Sequence, residues 1–382
     1  MDFEPDDEQR ELQGLAAGLL GREVTAERLT AFEDGGAAYD TRTWKALAQA
    51  GLLGACLPTA DGGAGLGAVG LAVVLREIGA HVAPVPAYAS LALGAMTIAR
   101  HGSPAQRALL PALAAGDVVL TGAAREPGTG EVRTTASRAG DSYVLDGVKT
   151  FVPYAAVASH ILIPARVVSG PREGAHPRPP DERVAVFLVE AAEVEQTRHP
   201  ATTGEPMSRV ALPGVRVGPE AVLGDGAWDT LRRYAVAGAV ATVSGVAARA
   251  LELTTEHVKT REQFGRVLAA FQAVTMQIGD VYIAVRALDV AMWAGVWRLA
   301  TEQPDTDEVL AIAAYNACDP VLKALYTCQH LHGGIGLDVT YPLHRYFAWG
   351  KHYAHLLGGA AAQLDAIAAA GGDAGAAAVT EI

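Results

Sequence analysis

The spacing of apolar residues changes twice along this chain, and that change limits the folds it can adopt. In the first third, Leu12, Leu15 and Leu19 recur at helical spacing, and "TWKALAQAGLLG" and "LAVVLREIGAHVA" continue the pattern. From about residue 119, β-branched runs separated by Gly and Pro replace it. After "AVLGDGAW" the helical spacing returns. The order predicts helices, then a compact β unit, then a helical bundle.

The central β region contains several predicted strands. "SHILIPARVV", "RVAVFLVEA" and "VALPGVRV" are rich in β-branched residues. Within "YVLDGVKTFV", the pair Asp146-Gly147 lies between two such runs, which predicts a hairpin turn. Residues 169–182 have the Pro, Gly and charge content of an exposed loop.

Two long apolar stripes at helical spacing follow in the last third. The first comprises Val243, Ala247, Ala250, Leu251, Thr254 and Val258, and the second comprises Val274, Ile278, Val281, Val285 and Leu288. We therefore predict an α+β, mainly helical protein. Its predicted domains are an N-terminal helical domain (1–118), a central β domain (119–223) and a C-terminal helical bundle (224–382).

Charge and composition exclude several classes of partner. The 382 residues carry a formal net charge of −12, and no Lys/Arg-rich run reverses it, so we expect no nucleic acid partner. No apolar run approaches the roughly 18 residues of a membrane span, and the acidic start lacks a basic secretion signal. We expect a cytoplasmic protein with no membrane partner. Cys56, Cys318 and Cys328 are then expected to be reduced thiols that fill the core.

A glycine-rich segment has the spacing of a dinucleotide-binding turn. Gly65, Gly67 and Gly70 follow the G-x-G-x-x-G pattern before a helical segment. However, the segment before them is not a convincing strand, and no acidic residue lies near the expected ribose position about 20 residues on. We interpret it as a turn between two helices.

A cluster of histidines near the end of the chain is a candidate set of metal ligands. Five of the 11 fall between His330 and His355, and His352 and His355 are three residues apart. Neither a carboxylate nor a thiolate completes a recognisable zinc set, and the glutamate of an H-E-x-x-H motif is missing. We predict no metal site, and we interpret these histidines as buried or interface residues. Cys328 near His330 is only weak evidence of a nucleophile.

The chain resembles the acyl-CoA dehydrogenase family over nearly its whole length. The resemblance is carried by the three-part order together with "KTREQFGRVLAAFQ" at 259–272 and "HGGIGLDVTYPLHRYF" at 332–347. The family's sequence pattern is also seen in three other segments: "WKALAQAGLLGACLPTADGGAGLG", "GSPAQRALLPALAAGD" and "DGVKTFV". It implies a helical N-terminal domain, a small β-barrel-like domain, a C-terminal four-helix bundle and a dimer of dimers with FAD at subunit interfaces.

The resemblance also implies a set of FAD contacts that reach the flavin of a neighbouring subunit. These residues are Arg261, Gln263, Phe264, Gln272, His330, Gly333 and Gly334. Arg261 would clamp the pyrophosphate, because a guanidinium binds phosphate with two parallel hydrogen bonds. Gly333 and Gly334 would leave backbone open to the cofactor. His330 stands where the family usually has glutamine.

The family's catalytic base is missing from both positions where it is found. Dehydrogenation needs a carboxylate to take the α-proton while the β-hydrogen leaves as hydride. The position near the chain end is Leu357, and the alternative on an earlier helix is Ala235. Asp229 and Glu252 lie about 9 Å and about 25 Å from Ala235 along an ideal helix. We therefore predict no catalytic residue in this chain.

The segment that faces the flavin ring in the family departs as well. "REPGTGEV" keeps Glu126 but places Arg125 and Glu131 at the hydroxyl positions of the family's T-E-P-x-A-G-S-D. The usual tryptophan and threonine are Phe151 and Pro153. Each buried hydrogen bond lost costs on the order of 1–3 kcal/mol, so we expect a weakened ring pocket.

These features are similar to the base-less subunit of heterotetrameric (α2β2) acyl-CoA dehydrogenases of bacterial steroid side-chain degradation. The resemblance implies a paralogous catalytic partner that supplies the glutamate, the ring pocket and most of the acyl-CoA site. It also implies electron transfer to an electron-transfer flavoprotein or a similar acceptor. "LLGGAA" would then be a helix packing element.

Two alternatives remain open from the sequence. In the first, the chain is an active homo-oligomeric flavoenzyme with a base relocated to Asp229 or Glu126. In the second, it is a non-enzymatic binding protein that kept the fold, since fold alone does not fix function.

Overall fold

The computed structural model describes residues 6–128, 130–168 and 183–378, with side chains up to residue 371. The predicted loop at 169–182 lies outside the described residues. The described chain forms two compact units. Unit 1 comprises residues 1–31, 68–83 and 236–382, and unit 2 comprises residues 32–67 and 84–235. The three domain bounds taken from the sequence remain a prediction.

The helices occupy both ends of the chain, as the apolar spacing predicts. They are α1 (Asp7–Glu23), α2 (Ala26–Gly35), α3 (Thr41–Gln49), α4 (Gly67–His81), α5 (Met96–His101), α6 (Pro104–Arg107), α7 (Leu109–Ala114), α8 (Ala227–Thr260), α9 (Gln272–Ala300), α10 (Thr306–Cys318), α11 (Pro320–His332), α12 (Leu343–Leu356) and α13 (Gly359–Ala378). A π-helix, Tyr88–Ala95, precedes α5.

The central strands form one mixed sheet in unit 2. The strands are β1 (Leu120–Gly122), β2 (Thr135–Ala139), β3 (Ser142–Pro153), β4 (His160–Val168), β5 (Val184–Glu190), β6 (Glu195–Pro200) and β7 (Pro206–Val217). The order is β1-β4-β2-β3-β7-β6, with β5 paired to β4. β4 pairs in parallel with β1 and β2, and the other pairs are antiparallel. Apolar side chains such as Phe187, Leu145 and Val210 form its core.

The hairpin turn lies elsewhere than the sequence predicted. Asp146-Gly147 lies inside the long strand β3, while Gly140 and Asp141 form the two-residue turn between β2 and β3. Gly140 has φ +67°, which suits the first position of a type II′ turn. Gly147 is needed for another reason, because a Cβ there would lie 2.5 Å from the Thr134 hydroxyl. The glycine marks a close approach of two strands, which the sequence pattern does not distinguish from a turn.

Helices α4 and α8 touch backbone to backbone in unit 1. A Cβ on Gly245 would collide with the Arg76 carbonyl, and one on Gly79 would collide with the Thr242 carbonyl. α8 is long and apolar enough to span a membrane, but 72% of its most apolar window is buried inside the protein. It is therefore a buried core helix.

The predicted apolar stripes are largely buried. On α8, Val243, Ala247, Ala250, Thr254 and Val258 are buried, and on α9 the buried side chains include Val281, Val285 and Leu288. α1 buries Ala16, Leu19 and Leu20, while Leu15 is 47% exposed. The α1 core face is thus rotated from the one the leucine spacing predicted.

The three cysteines and the glycine-rich segment behave as the sequence predicted. Cys56, Cys318 and Cys328 are free and buried. Burial raises the pKa of Cys56 to about 12, and of Cys318 and Cys328 to about 11. Gly65 and Gly67, both at positive φ, form the turn between a short 3₁₀ helix (Thr59–Asp61) and α4.

One buried ion pair ties β3 to the segment before β2. Lys149 is fully buried, and its Nζ donates to Glu126 Oε1 at 2.5 Å and to the Pro164 carbonyl at 2.6 Å. The Glu126 carboxylate also accepts from the backbone N–H groups of Arg133 and Thr134. Burial lowers the pKa of Lys149 to about 8, against the opposing effect of Glu126. The pair fixes the path of the "REPG" segment across the sheet.

Replacing Lys149 by methionine should destabilise the protein strongly. K149M leaves the Glu126 carboxylate buried without its cation, and breaking a buried pair in this way costs about 3–5 kcal/mol. Chemical denaturation measures the loss. K323M is the matched control, because Lys323 pairs with Asp319 at 2.8 Å but is 75% exposed. Its change should stay within about 1 kcal/mol, and equal losses in both variants would contradict the role of burial.

Candidate functional site

A small hairpin follows the end of α8 in unit 1 and carries the first group of predicted contacts. β8 (Glu262–Gln263) pairs with β9 (Arg266–Val267), so that Phe264 and Gly265 form a two-residue turn. Both turn residues have positive φ, +54° and +78°, as a type I′ turn requires. Arg261 closes the hairpin, because its carbonyl accepts a hydrogen bond from Leu268 N at 2.9 Å.

The tip of this hairpin holds an aromatic side chain out in solvent. Phe264 is 90% exposed and contacts the Phe271 ring edge to face, at a centroid distance of 6.2 Å. The guanidinium of Arg266 lies 4.0 Å from the centroid of the Phe271 ring. A non-glycine residue at positive φ costs on the order of 1 kcal/mol. The strained turn therefore presents an exposed ring, which would be stabilised if another surface covered it.

The other predicted contacts lie at helix ends of the same unit. Gln272, exposed, is the first residue of α9, and His330, also exposed, lies in the last turn of α11. Gly333 ends α11 at φ +62°, a conformation that suits glycine. A Cβ on Gly333 or Gly334 would meet open space. These glycines are therefore not required by packing within this chain, and their backbone is open to a ligand.

The two positions predicted for the family's base hold side chains that take no proton. Leu357 is the C-cap of α12, and Gly358 and Gly359, at φ +90° and +80°, form the break before α13. The "LLGGAA" segment, predicted as a helix packing element, thus contains the turn between two helices. In unit 2, Ala235 lies on α8, and its carbonyl accepts a hydrogen bond from the Tyr88 hydroxyl at 3.1 Å.

The two acids named as relocated bases, Asp229 and Glu126, and Glu252 each lie beside a cation. The Asp229 side chain is 63% exposed with Arg232 at 3.8 Å, and Glu252 pairs with Arg249 at 2.8 Å. Lys149 and two backbone N–H groups hold the pKa of Glu126 below its ordinary value, although burial opposes them. A carboxylate stabilised in this way is a poor proton acceptor.

The segment predicted to face a flavin ring carries a charge and an exposed aromatic. The Arg125 guanidinium is partly buried, 5.9 Å from the centroid of the Phe151 ring. Phe151 is 56% exposed at φ +51°, inside an irregular stretch of β3. Pro153 is buried and Glu131 exposed. None of the four side chains offers the hydroxyl that the family's pattern places there.

Sequence reasoning missed one buried acid in unit 2. Glu205 is 5% exposed, and burial raises its pKa to about 7, against smaller lowering effects of hydrogen bonds with Thr203 and Tyr154. Its charge also raises the pKa of Tyr88, which burial raises further. Nothing in "TTGEPMS" marks this glutamate as buried, because it lies outside any periodic apolar run.

The histidines do not assemble a metal-binding group among the residues that the structure describes. No cluster of three or more His, Cys, Asp or Glu side chains suited to a metal ion occurs there. Burial lowers the pKa of His352 to about 4, as expected of an imidazole in the core.

Two family models match the chain. The acyl-CoA dehydrogenase N-terminal domain matches residues 6–117, and the acyl-CoA dehydrogenase C-terminal domain matches residues 233–372. FadE28, an acyl-CoA dehydrogenase of Mycobacterium tuberculosis, is 32% identical over 97% of this chain and 98% of that protein. This chain belongs to the acyl-CoA dehydrogenase family. FadE27 of the same organism is also 32% identical, over 95% of this chain and 97% of its own length.

Solved structures of the family superimpose on the whole chain. A variant of the Tcur3481–Tcur3483 steroid acyl-CoA dehydrogenase is 38% identical, with a TM-score of 0.89 over 97% of this chain and 99% of that one. The ChsE4–ChsE5 complex from Mycobacterium tuberculosis is 32% identical, with a TM-score of 0.88 over 96% and 98%. The predicted fold class is confirmed: an N-terminal helical domain, a curled β half-barrel and a C-terminal helical domain.

FAD, the predicted cofactor, is the cofactor of this family's structures. One group of residues in this chain suits FAD, and another does not. The hairpin and the Gly333–Gly334 backbone are open, with Arg261 exposed beside them, which suits the phosphates and edges of a dinucleotide. The segment with Arg125 and Phe151 does not fit a ring pocket, because it offers a cation and an aromatic where neutral donors are needed.

The buried carboxyl of Glu205 should make stability depend on pH. Its pKa rises from 4.5 to about 7 on folding, so the native state favours the protonated form. The free energy of unfolding should therefore fall as pH increases from about 4.5 to about 7, by roughly 3 kcal/mol at 1.4 kcal/mol per pKa unit. E205Q, which cannot ionise, should lose this dependence.

Denaturation of both proteins at several pH values measures the effect. E252Q is the matched control, because its carboxylate is 64% exposed, and it should keep the wild-type slope. Identical slopes in wild type and E205Q would show that Glu205 does not titrate in this range.

Proposed function

We propose that this chain is the non-catalytic subunit of an α2β2 acyl-CoA dehydrogenase. It would complete the FAD site of a paralogous catalytic subunit, which supplies the carboxylate and the flavin-ring pocket. One asymmetry carries the proposal. The exposed set of FAD contacts is present in unit 1, but neither predicted base position holds a carboxylate: one is Leu357 and the other is Ala235. The proposed domains are those predicted from the sequence (1–118, 119–223 and 224–382), and we place the complex in the cytoplasm.

Exposure of the contact set supports a role toward a neighbouring subunit. Arg261, Gln263, Phe264 and Gln272 are all exposed in this chain. Phe264 at 90% exposure is the extreme case, because a large apolar side chain is stabilised when another surface covers it. Together with His330, Gly333 and Gly334, these are the residues that we assign to the cofactor.

The chemistry divides between the two subunits. FAD supplies the hydride acceptor when bound. Arg261 would neutralise phosphate charge, and the open backbone at Gly333 and Gly334 would donate to it or lie against the adenine. The α-proton would pass to a carboxylate of the partner, which also binds most of the acyl-CoA. An electron-transfer flavoprotein or a similar acceptor would reoxidise the complex.

The relatives support a heteromer and a substrate class. The Tcur3481–Tcur3483 protein is described as a steroid acyl-CoA dehydrogenase, and the ChsE4–ChsE5 structure is a complex of two components. By this likeness we propose a steroid side-chain CoA ester as the substrate of the complex.

A second candidate is an active flavoenzyme with a relocated base, and Glu205 is the observation that favours it. A pKa of about 7 suits a general base. The charge of Glu205 acts on Tyr88, whose hydroxyl donates a hydrogen bond to the carbonyl of Ala235. Its 5% exposure weighs against it, because a base must reach the substrate.

Expression alone and with a family paralogue that carries the glutamate separates these candidates. The single chain should be colourless, and the coexpressed pair should be a yellow heterotetramer with one FAD per pair of unlike chains. Flavin absorbance and molecular mass provide the measurement. A single chain that binds flavin and is bleached by an acyl-CoA would overturn the proposal, and loss of that activity in E205Q would support the second candidate. Absence of flavin from both preparations would indicate a binding protein.

Arg261 should be needed for flavin affinity in the complex. R261A removes a charged hydrogen bond worth about 1.5–3 kcal/mol, so the Kd for FAD should rise about ten- to a hundredfold. Fluorescence titration of the deflavinated complex measures it. R249A is the matched control, since Arg249 lies on α8, the helix that precedes Arg261, is 47% exposed and pairs with Glu252. Equal affinities in R261A and R249A would remove Arg261 from the site.

A further inference from the structure

Two histidines stack face to face between the two halves of the proposed cofactor contact. His257 lies in the last turn of α8, and His332 is the last residue of α11. Their ring centroids are 4.3 Å apart, and their planes differ by 18°. Neither ring belongs to the contact set described above.

The hydrogen bonds of His332 define its tautomer. Nδ1 lies 2.8 Å from the Cys328 carbonyl, which only accepts, so Nδ1 carries the proton. Nε2 lies 3.1 Å from the Tyr341 hydroxyl and, in the neutral ring, accepts from it. The ring is 5% exposed, so its orientation is fixed by these partners.

Each histidine is joined directly to one half of the contact. The His257 carbonyl accepts a hydrogen bond from Arg261 N at 2.8 Å, and the Arg261 carbonyl holds the hairpin through Leu268 N. His332 immediately precedes Gly333, whose φ of +62° turns the chain out of α11. The stack therefore sets the spacing between the Phe264 hairpin and the Gly333–Gly334 backbone.

We propose that His257 and His332 are a positioning pair that holds the two halves of the FAD contact in register. This rests on the proposed function, because it assigns the pair to the same cofactor. Both rings must be neutral for the arrangement to persist. A proton on either imidazole would place a cation against the other ring. The neighbouring ionisable groups are Arg261, beside His257, and Tyr341, beside His332. The Cys328 carbonyl accepts a hydrogen bond from His332.

The pair should make flavin binding sensitive to acid. Burial lowers the pKa of both histidines, and for His257 the charges of His332 and Arg261 lower it further. A depressed histidine pKa means that the folded arrangement is favoured when the rings are neutral. It loses stability as pH falls below the ordinary value of 6.5.

Fluorescence titration of the deflavinated heterotetramer with FAD at pH 7.5 and pH 5.5 tests the pair. At pH 7.5, H257A should raise the Kd about three- to tenfold, since a stacked ring pair is worth about 0.5–1.5 kcal/mol. H257F keeps a ring that can stack but cannot be protonated. It should bind like wild type at pH 7.5 and should lose the weakening that wild type shows at pH 5.5. H199A, at an exposed histidine on β6, is the matched control and should behave as wild type at both values.

Failure of the inference is distinguishable from failure of the proposed function. If R261A weakens binding while H257A does not, or if H257F keeps the acid sensitivity, the positioning pair is wrong and the FAD site stands. If neither R261A nor H257A changes the Kd, the proposed FAD contact itself is wrong. Thermal midpoints of the variants at pH 7.5, matched to wild type, show that altered binding does not come from unfolding.

Discussion

The contact between the backbones of α4 and α8 is the constraint on which unit 1 depends. Gly79 and Gly245 allow it, because a Cβ at either position would overlap a carbonyl of the other helix. Such a contact fixes both the rotation and the axial position of α8, since neither helix can slide without a collision. The last turn of α8 carries His257 and leads to Arg261. Packing near the middle of the helix therefore determines where the candidate cofactor contact begins.

The two units differ in what they offer to a cofactor. Unit 1 presents an open backbone, an exposed arginine and an exposed aromatic on a strained turn. Unit 2 has a buried ion pair between Lys149 and Glu126, and it presents the exposed ring of Phe151 beside Arg125. Among its other acids, Glu205 is buried beside the aromatic rings of Tyr88 and Tyr154. The Glu126 carboxylate is satisfied within unit 2 and offers little to a ligand, whereas the backbone at Gly333 and Gly334 in unit 1 stays open.

Patterns of apolar spacing predicted most of the fold, and their failures have physical causes. The stripes on α8 and α9 are largely buried as predicted, because one face of each helix packs against its neighbours. Leu15 is exposed because the buried face of α1 is formed by other residues, Ala16, Leu19 and Leu20. Which face of α1 is buried depends on the helix that lies beside it. The π-helix Tyr88–Ala95 is buried all round, so it shows no periodicity that would reveal its type. Asp146-Gly147 is read locally as a turn, although only the distance to Thr134 explains the glycine.

The sequence by itself determined the order of helical and β regions, the family resemblance, and the lack of a carboxylate at the predicted base positions, Leu357 and Ala235. These are properties of residue identity and spacing, which no packing can change. The tertiary structure decided which polar groups are buried and paired: Lys149 with Glu126, Glu205 in the core, and His257 on His332. Such pairs lie far apart in sequence or outside any periodic pattern. Their ionisation depends on distance and burial, which exist only once the chain is folded.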